Sequence, residues 1–404
     1  MANMTARQNR LLVLDDEPDI CEFIGEVGET LGFEVSLTTQ AAEFRRRVAS
    51  FAPSVVVLDL QMPQADGIEQ LRFLGQVACK AKVLLVSGMD SRVLSTAEHL
   101  GRSLGLDMLG SQQKPIMLDA LESALERALV SQRAITPADI RRGLEHREFT
   151  VYYQPKASRT ANGWVIDAVE ALVRWKHPKL GLVLPDEFVS VAEEHDLIAE
   201  LTDLVFRDAI ENCARWGERE DPLSVAVNFS PRLLTDLDFP DRLNQFIGEF
   251  GADPTRLIVE VTESAAMIEP ATTMDILTRL RVKNFGLSVD DFGTGFSSLK
   301  QLYRMPFNEI KIDSSFVREI EADPEARTIV ETVVYLAHKL GMTACAEGVE
   351  NQGTLDILEE IGCDRAQGYL ISQPVPAEKI PEIAQDWNGG SKTGLRLAWS
   401  REDA

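Results

Sequence analysis

Short apolar runs alternate with amphipathic segments along most of the chain, and this alternation constrains the fold more than any other feature. The pattern is typical of parallel strands connected by helices. In the first part of the chain several of the runs are apolar almost throughout, as expected of strands covered on both faces. Five such runs in some 120 residues predict a small doubly wound parallel sheet. The predicted strands are Arg10–Leu14, Glu34–Leu37, Ser54–Leu58, Lys82–Val86 and Met108–Leu109.

A second series of eight strand-like runs follows within roughly 250 residues, which is the size of a (β/α)8 barrel. Only residues 155–164 separate its first two runs, too few for a crossover helix, so this pair should be antiparallel. The predicted fold is therefore α/β: a doubly wound five-stranded parallel domain followed by a modified TIM barrel with an antiparallel first strand. The runs are Phe149–Gln154, Val165–Val173, Leu223–Asn228, Leu257–Val261, Gly286–Asp290, Glu309–Ile312, Met342–Ala346 and Ala366–Ile371.

No Gly/Ser-rich segment separates the two series, and the helical pattern of residues 118–133 leads directly to Thr136-Pro137, a predicted N-cap with proline at the first helical position. We therefore predict that helix connects the domains. The predicted boundaries are a first domain at residues 1–131, a helical linker at 132–141, a second domain at 142–388 and a loose tail at 389–404 that lacks apolar periodicity.

Composition narrows the compartment and the partners. The chain has 64 acidic and 41 basic residues, a net charge of −23, which argues against DNA or an anionic membrane as a partner. Its five cysteines are odd in number and scattered, which favours a reducing compartment. No run approaches the roughly 18 apolar residues of a membrane span or resembles a signal peptide. We predict a cytoplasmic protein.

Polar residues follow the strands of the first domain at their carboxyl ends, where the crevice of an open parallel sheet lies. Three carboxylates in one crevice repel each other unless a hard cation such as Mg²⁺ lies among them. With the cation bound, Asp59 at the end of the third strand can attack a phosphoryl group. Ser87 and Lys114 would contact the oxygens of that group. The polar residues of this crevice are Asp15, Asp16, Asp59, Ser87 and Lys114.

Residues 10–130 resemble the response-regulator receiver family, through residues 59–67 (DLQMPQADG) and through Ser87 with Lys114-Pro115. The resemblance implies that Asp59 is phosphorylated by a cognate histidine kinase, that one Mg²⁺ binds at the three acids, and that Ser87 and Lys114 form the switch. Ser111 stands three residues before Lys114, where many receivers carry an aromatic residue. The chain therefore departs from the family at the position of the usual aromatic relay.

A second polar set follows the strands of the barrel. Carboxylates and an amide without cysteine form an oxygen-rich site that suits Mg²⁺ or Mn²⁺ better than zinc. Acids shared between two such ions, roughly 4 Å apart, would activate water against a phosphodiester. Lys311 could neutralise the charge that develops on the transferred phosphorus or the leaving oxygen, and Arg174 could contact a phosphate. The set is Glu170, Asn228, Glu260, Asp290, Asp291, Lys311, Glu347 and Gln367.

These residues lie in motifs that closely resemble the EAL-domain phosphodiesterases over about residues 140–385. The motifs include residues 170–175 (EALVRW), 227–230 (VNFS), 260–264 (EVTES), 290–299 (DDFGTGFSSL), 311–313 (KID), 346–350 (AEGVE) and 367–369 (QGY). The resemblance implies hydrolysis of cyclic di-GMP to linear pGpG. It also implies a barrel that pairs as a homodimer or higher homo-oligomer.

The same resemblance implies a role for each residue. One metal is held by Glu170, Asn228, Glu260 and Asp290, and a second by Asp290, Asp291 and Glu347. The catalytic residues are Glu170, Asp291, Lys311 and Glu347, with Lys311 and Glu347 assisting the attacking water. Substrate is bound by Gln154, Leu172, Arg174, Asn228, Asp313, Glu350 and Gln367.

Glu263 is a separate prediction. It lies three residues after Glu260, beyond the strand end, where its carboxylate can accept hydrogen bonds from the glycine-containing loop of residues 292–298. Such a contact would hold Asp291 in place. An exposed glutamate in a loop is the alternative.

Two other functions remain open at this point: a degenerate barrel that binds cyclic di-GMP without hydrolysing it, and an inert scaffold. The namesake glutamate, the aspartate pair and the loop after it are all present, which favours the enzyme. The chain has no Gly-Gly-(Asp/Glu)-Glu-Phe stretch, so we expect no opposing cyclase activity.

Overall fold

The computed structural model describes residues 9–62, 65–89, 91–130, 135–218, 222–266, 270–293 and 299–389. The chain divides into two compact units, Met1–Ala134 and Ile135–Ala404, and the division falls within the predicted linker. Residues 390–404 of the predicted tail lie outside the described ranges. Within those ranges, no helix combines the length and the apolar character needed to cross a bilayer.

The first unit contains the predicted five-stranded parallel sheet. Its strands are β1 (Arg10–Leu14), β2 (Glu34–Thr38), β3 (Val55–Asp59), β4 (Gln61–Met62), β5 (Ala65–Asp66), β6 (Lys82–Ser87) and β7 (Asp107–Gln113). Its helices are α1 (Pro18–Thr30), α2 (Ala41–Phe51), α3 (Gly67–Gln76), α4 (Ser91–Ser103) and α5 (Leu118–Val130). The strand order is β2-β1-β3-β6-β7, and β4 and β5 pair antiparallel in a separate two-stranded sheet that the sequence did not predict.

Alternate residues of β1 explain why the sheet is covered on both faces. Leu12 and Leu14 pack against one set of apolar side chains, which includes Phe44 of α2. Leu11 and Val13 face the other way and share a second core, which includes Leu121 of α5. Because successive side chains of a strand point to opposite faces, an all-apolar strand needs helices on both sides.

Strand β7 is longer than the predicted Met108–Leu109. It lies at the edge of the sheet, and its polar residues after Leu109 are only partly buried, so they carry no apolar signal. Gly110 has a φ of 118°, and the pairing with β6 shifts register beside it. Hydrophobic patterning therefore could not predict the full length of β7, an edge strand with a bulge.

The second unit begins with α6, where Thr136 forms the predicted N-cap and exchanges hydrogen bonds with Asp139. The strands are β8 (Phe149–Thr160), β9 (Gly163–His177), β10 (Gly181–Val183), β11 (Ser224–Asn228), β12 (Leu257–Thr262), β13 (Gly286–Phe292), β14 (Glu309–Ile312), β15 (Thr343–Ala346), β16 (Arg365–Gln367) and β17 (Val375–Pro376). The helices are α6 (Pro137–Glu145), α7 (Val189–Glu194), α8 (Ile198–Gly217), α9 (Phe239–Phe250), α10 (Glu263–Ala266), α11 (Pro270–Val282), α12 (Leu299–Arg304), α13 (Ser314–Arg318), α14 (Pro324–Lys339), α15 (Gln352–Ile361) and α16 (Ile380–Asn388).

Eight strands close the barrel in the order β8-β9-β11-β12-β13-β14-β15-β16, with β16 pairing back to β8. Strand β8 is antiparallel to both neighbours, which confirms the predicted antiparallel first strand. The predicted connection of residues 155–164 is wrong in extent, because β8 continues to Thr160 and pairs with β9 almost to the turn. Strand β16 ends at Gln367 rather than Ile371, since the chain leaves the sheet at Gly368.

Candidate active site and phosphorylation site

Polar side chains from β9, β11, β12, β13, β14 and β16, and from the loop after β15, meet at the mouth of the barrel. All eight residues of the predicted set contribute to this cluster, and Lys311 lies at its centre. The Lys311 side chain is 1% exposed, and its Nζ lies 2.7 Å from Glu347 Oε1, 2.9 Å from Glu260 Oε2 and 3.0 Å from Asp290 Oδ2. Burial alone would lower the pKa of Lys311, but the surrounding carboxylates raise it well above its usual range.

Glu170 is held by two amides. Its Oε1 accepts from Asn228 Nδ2 at 2.6 Å, and its Oε2 accepts from Gln367 Nε2 at 2.7 Å. Burial would raise the pKa of Glu170, but Lys311, Lys156 and the two amides together lower it. Glu170 is therefore a fixed, ionised carboxylate.

Three other acids crowd one another. Oxygens of Asp290, Asp291 and Glu347 lie within 4.8 Å of each other. Burial, with Asp290 nearby, raises the pKa of Asp291 to about 6, and burial raises the pKa of Glu347 to about 8 in spite of Lys311. Carboxylates held in this way favour a cation among them, and an all-oxygen donor set fits Mg²⁺ or Mn²⁺.

The backbone of β13 explains how adjacent aspartates reach one site. The sequence required Asp291 to lie past the strand end, but it lies within β13, and that expectation was wrong. Asp291 has a φ of 55°, and the pairing with β14 is irregular between Val289 and Phe292. This left-handed turn breaks the alternation of faces, so both side chains lie near Glu347.

Glu263 follows β12 as the first residue of α10 and is 4% exposed. Its Oε2 accepts a hydrogen bond from the backbone amide of Gly293 at 2.9 Å. Thr294 and Ser297, the hydroxyl donors that the sequence suggested, lie outside the described residues. Glu263 is a buried acceptor for the start of the loop that follows the aspartate pair.

A cavity of about 220 Å³ lies beside the carboxylate cluster. Four predicted substrate residues line it: Gln154, Leu172, Glu350 and Gln367. Ser314, Arg318 and Tyr369 also line it, and none of them was predicted from the sequence to bind substrate. Ser314 and Arg318 belong to α13, so a search of strand ends could not find them. Tyr369 follows β16 within the motif of residues 367–369, and that motif was the available signal.

Three predicted substrate residues, Arg174, Asn228 and Asp313, do not line this cavity. Asn228 donates to Glu170 instead. The Arg174 guanidinium donates to the Val173 carbonyl at 2.9 Å and lies 5.9 Å from the centre of the Tyr152 ring. Asp313 is the N-cap of α13, where it accepts from the Ser315 amide at 3.0 Å. Their assignment to substrate remains a prediction.

The first unit brings together the acids that the sequence placed at the ends of β1 and β3. Oxygens of Asp15, Asp16 and Asp59 lie within 4.8 Å of one another. Lys114 Nζ lies 2.9 Å from Asp59 Oδ2 and 3.0 Å from Asp15 Oδ2. Glu17, which the sequence analysis missed, also binds Lys114 at 2.9 Å. A cavity of about 380 Å³ opens onto Asp59, large enough for a phosphoryl group.

The two switch positions have different partners. Ser87, at the end of β6, is buried and accepts a hydrogen bond from the Met89 amide at 3.2 Å. Ser111 donates to Glu98 Oε2 of α4 at 3.2 Å. A hydroxyl–carboxylate contact between β7 and α4 therefore occupies the position where many receivers carry an aromatic residue.

The chain belongs to the EAL-domain family, which matches residues 138–374, and it also carries a response regulator receiver domain at residues 11–126. Over 384 residues it is 32% identical to the cyclic di-GMP phosphodiesterase RocR of Pseudomonas aeruginosa, a match that covers 91% of this chain and 96% of RocR. It is 38% identical over 244 residues to the bifunctional diguanylate cyclase/cyclic di-GMP phosphodiesterase MucR of the same organism, which covers 60% of this chain and 35% of MucR.

Solved structures match the barrel as well. A structure of the MucR phosphodiesterase in complex with c-di-GMP is 37% identical and has a TM-score of 0.57. That match covers 60% of this chain and 98% of the solved chain. The fold expected from the sequence is therefore confirmed at the level of the family.

Proposed function

We propose that this chain is a two-component response regulator whose barrel hydrolyses cyclic di-GMP to linear pGpG in a metal-dependent reaction. The observation that carries the proposal is the mouth of the barrel: five carboxylates surround or adjoin a buried lysine, beside a cavity. Relatives that match the barrel are named cyclic di-GMP phosphodiesterases, which supports the choice of substrate.

The acids fit two divalent ions, and we propose Mg²⁺ or Mn²⁺. Glu170, Asn228, Glu260 and Asp290 would hold one ion, and Asp290, Asp291 and Glu347 would hold the second. When bound, such a pair lowers the pKa of water and stabilises charge on a phosphodiester. One further Mg²⁺ would bind Asp15, Asp16 and Asp59 in the first unit.

The protein side chains have distinct tasks in this reaction. Lys311 and Glu347, 2.7 Å apart, would orient the attacking water, and the Lys311 charge would stabilise the transition state. Gln154 and Gln367 are joined by a hydrogen bond of 2.9 Å and line the cavity, where they would position the substrate. Glu350, paired with Arg318 at 3.2 Å, also lines the cavity and would contact the substrate there.

A receptor that binds cyclic di-GMP without hydrolysing it is the second candidate. It would not need the Asp290–Asp291–Glu347 cluster. Burial raises the pKa values of Asp291 and Glu347 there, a cost that a bound cation relieves. An inert scaffold would need still fewer of these groups. The complete cluster therefore favours hydrolysis.

The test is a turnover assay of the purified chain with cyclic di-GMP, with Mg²⁺ and after chelation. We expect pGpG only with metal, and Glu170→Ala should lower turnover by orders of magnitude because it removes a ligand. Circular dichroism should show that the variant keeps its fold. Near-normal turnover in Glu170→Ala would contradict the metal assignment. Tight cyclic di-GMP binding without any product would support the receptor instead.

We also propose that phosphorylation of Asp59 by a histidine kinase modulates the barrel. Lys114 beside Asp59, and the cavity at that side chain, support phosphoryl transfer. A homodimer or higher homo-oligomer is proposed from the family resemblance. A reducing compartment such as the cytoplasm is supported by five free cysteines.

A further inference from the structure

The interior of the barrel carries charged side chains below the mouth, where branched apolar residues usually fill a TIM barrel. Lys156 of β8 is one of these cations and contacts the site: its side chain is fully buried, with 0% exposure. It lies two residues after Gln154 on the same strand, so both side chains point into the barrel. Lys156 lies outside the motifs named above, and the sequence predicted no role for it.

Lys156 is bound to a residue of the site. Its Nζ contacts Glu260 Oε1, while Lys311 Nζ lies 2.9 Å from the other oxygen, Glu260 Oε2. Glu309 Oε1 is farther away, at 3.9 Å. Two buried ammonium groups therefore hold the two oxygens of one buried carboxylate.

This arrangement is costly unless it serves the site. Burying an ammonium group requires compensation by a close partner, and apolar residues of similar volume often stabilise a core at least as well as a buried ion pair. Among the described residues, Lys156 is the only donor to Glu260 Oε1. Without it, Glu260 would have to turn in an interior closed to water in order to find another donor.

We propose that Lys156 is a positioning residue, which fixes the orientation of the Glu260 carboxylate and so prepares the mouth of the barrel for its first metal ion. This inference rests on the proposed metal-dependent function. Lys156 also carries a positive charge that repels a nearby cation. The two effects have opposite signs, and metal affinity measured in variants decides which is larger.

The experiment measures Mn²⁺ binding by electron paramagnetic resonance in the full chain without substrate. Every protein carries Asp16→Ala, which removes a ligand of the receiver site, so that bound Mn²⁺ reports on the barrel. We expect Lys156→Met to weaken Mn²⁺ binding by about 10–100-fold, the range typical of groups that orient metal ligands. Lys156→Gln keeps an N–H donor on a shorter side chain and should give a smaller loss. If Lys156→Met does not fold, the Mn²⁺ affinity of Lys156→Gln tests the proposal by itself.

Arg365→Met is the matched control. Arg365 is another cation of the barrel interior. It lies 2.7 Å from Glu309 and 3.6 Å from Asp167, and neither is an acid of the mouth. This variant should lower the melting temperature while leaving Mn²⁺ affinity unchanged.

Each outcome decides the proposal. Unchanged affinity in folded Lys156→Met and Lys156→Gln would mean that Lys156 only supports the core. Tighter binding would mean that it acts as a repelling charge, and an equal loss in Arg365→Met would mean a general loss of packing. Each of these results overturns the inference. Failure of the parent protein to bind Mn²⁺ or, with its receiver intact, to hydrolyse cyclic di-GMP would instead overturn the proposed function.

Discussion

Truncation of Glu263 should weaken metal binding at the mouth of the barrel, although Glu263 is not a proposed ligand. Its carboxylate is buried and accepts the Gly293 amide at 2.9 Å, and Gly293 comes two residues after Asp291. Gly293 has a φ of 102°, a conformation that favours glycine. Because glycine has many accessible conformations, the chain at this position needs an anchor to stay in one of them. The hydrogen bond therefore restrains the segment that carries Asp291.

The size of the effect follows from that hydrogen bond. A bond to a charged group contributes about 1.5–3 kcal/mol, and roughly 1.4 kcal/mol corresponds to a tenfold change in an equilibrium constant. If the whole restraint acts on Asp291, Glu263→Ala should raise the Mg²⁺ concentration for half-maximal turnover by about 10–100-fold. Glu263→Gln keeps an acceptor without the charge, so we expect a loss of several-fold.

The assay titrates Mg²⁺ against cyclic di-GMP turnover for the wild type and both variants. Ser264→Ala is the control, since it changes the exposed neighbour on the same helix. Its curve should match that of the wild type, and all four proteins should have similar circular dichroism spectra. Coincident curves for Glu263→Ala and the wild type would refute the reasoning.

Three further predictions concern the phosphorylation site, the metal and pH. Acetyl phosphate with Mg²⁺ should label the chain, and Asp59→Asn should abolish the label; persistent labelling would show that another group accepts the phosphoryl group. Ca²⁺ should support little turnover in the same assay, because its longer and looser coordination polarises water less than Mg²⁺ does. Burial raises the pKa of Asp291 to about 6, of Glu260 to about 7 and of Glu347 to about 8. Between about pH 5 and pH 8 the folded, metal-free chain therefore holds protons that the unfolded chain has already released near pH 4–5. The melting temperature measured in chelator should decrease as the pH is raised from 5 to 8. An increase would contradict these pKa values.

The fold could be predicted largely from hydrophobic patterning, and the strand segments that it missed share one cause. The antiparallel first strand followed from a connection too short for a helix, and the structure confirms it. The missed parts of β7 and β8 are polar: residues 110–113 lie at a sheet edge, and Lys156 and Ser158 of β8 point into a polar barrel interior. Strand pairing continues through such residues because backbone hydrogen bonds do not depend on apolar side chains.

The residues of the candidate site also fall into those that the sequence could predict and those that it could not. Residues at strand ends, such as Glu170 and Glu260, could be found because parallel strands present their carboxyl ends at one edge. Arg318 could not be found, because it lies on a helix and reaches the cavity only through the packing of α13. Lys156 could not be found either, since a lysine inside a strand gives no sign that its partner is a carboxylate of the site.

The charges at the mouth suggest an order of binding. Five carboxylates and two buried lysines leave three negative charges when all are ionised, and two divalent ions would reverse this to one positive charge. Cyclic di-GMP is an anion, and the chain as a whole carries a net charge of −23, so the protein offers no general attraction to it. We therefore expect metal to bind before substrate, because only the filled cluster makes the local potential favourable for a phosphodiester.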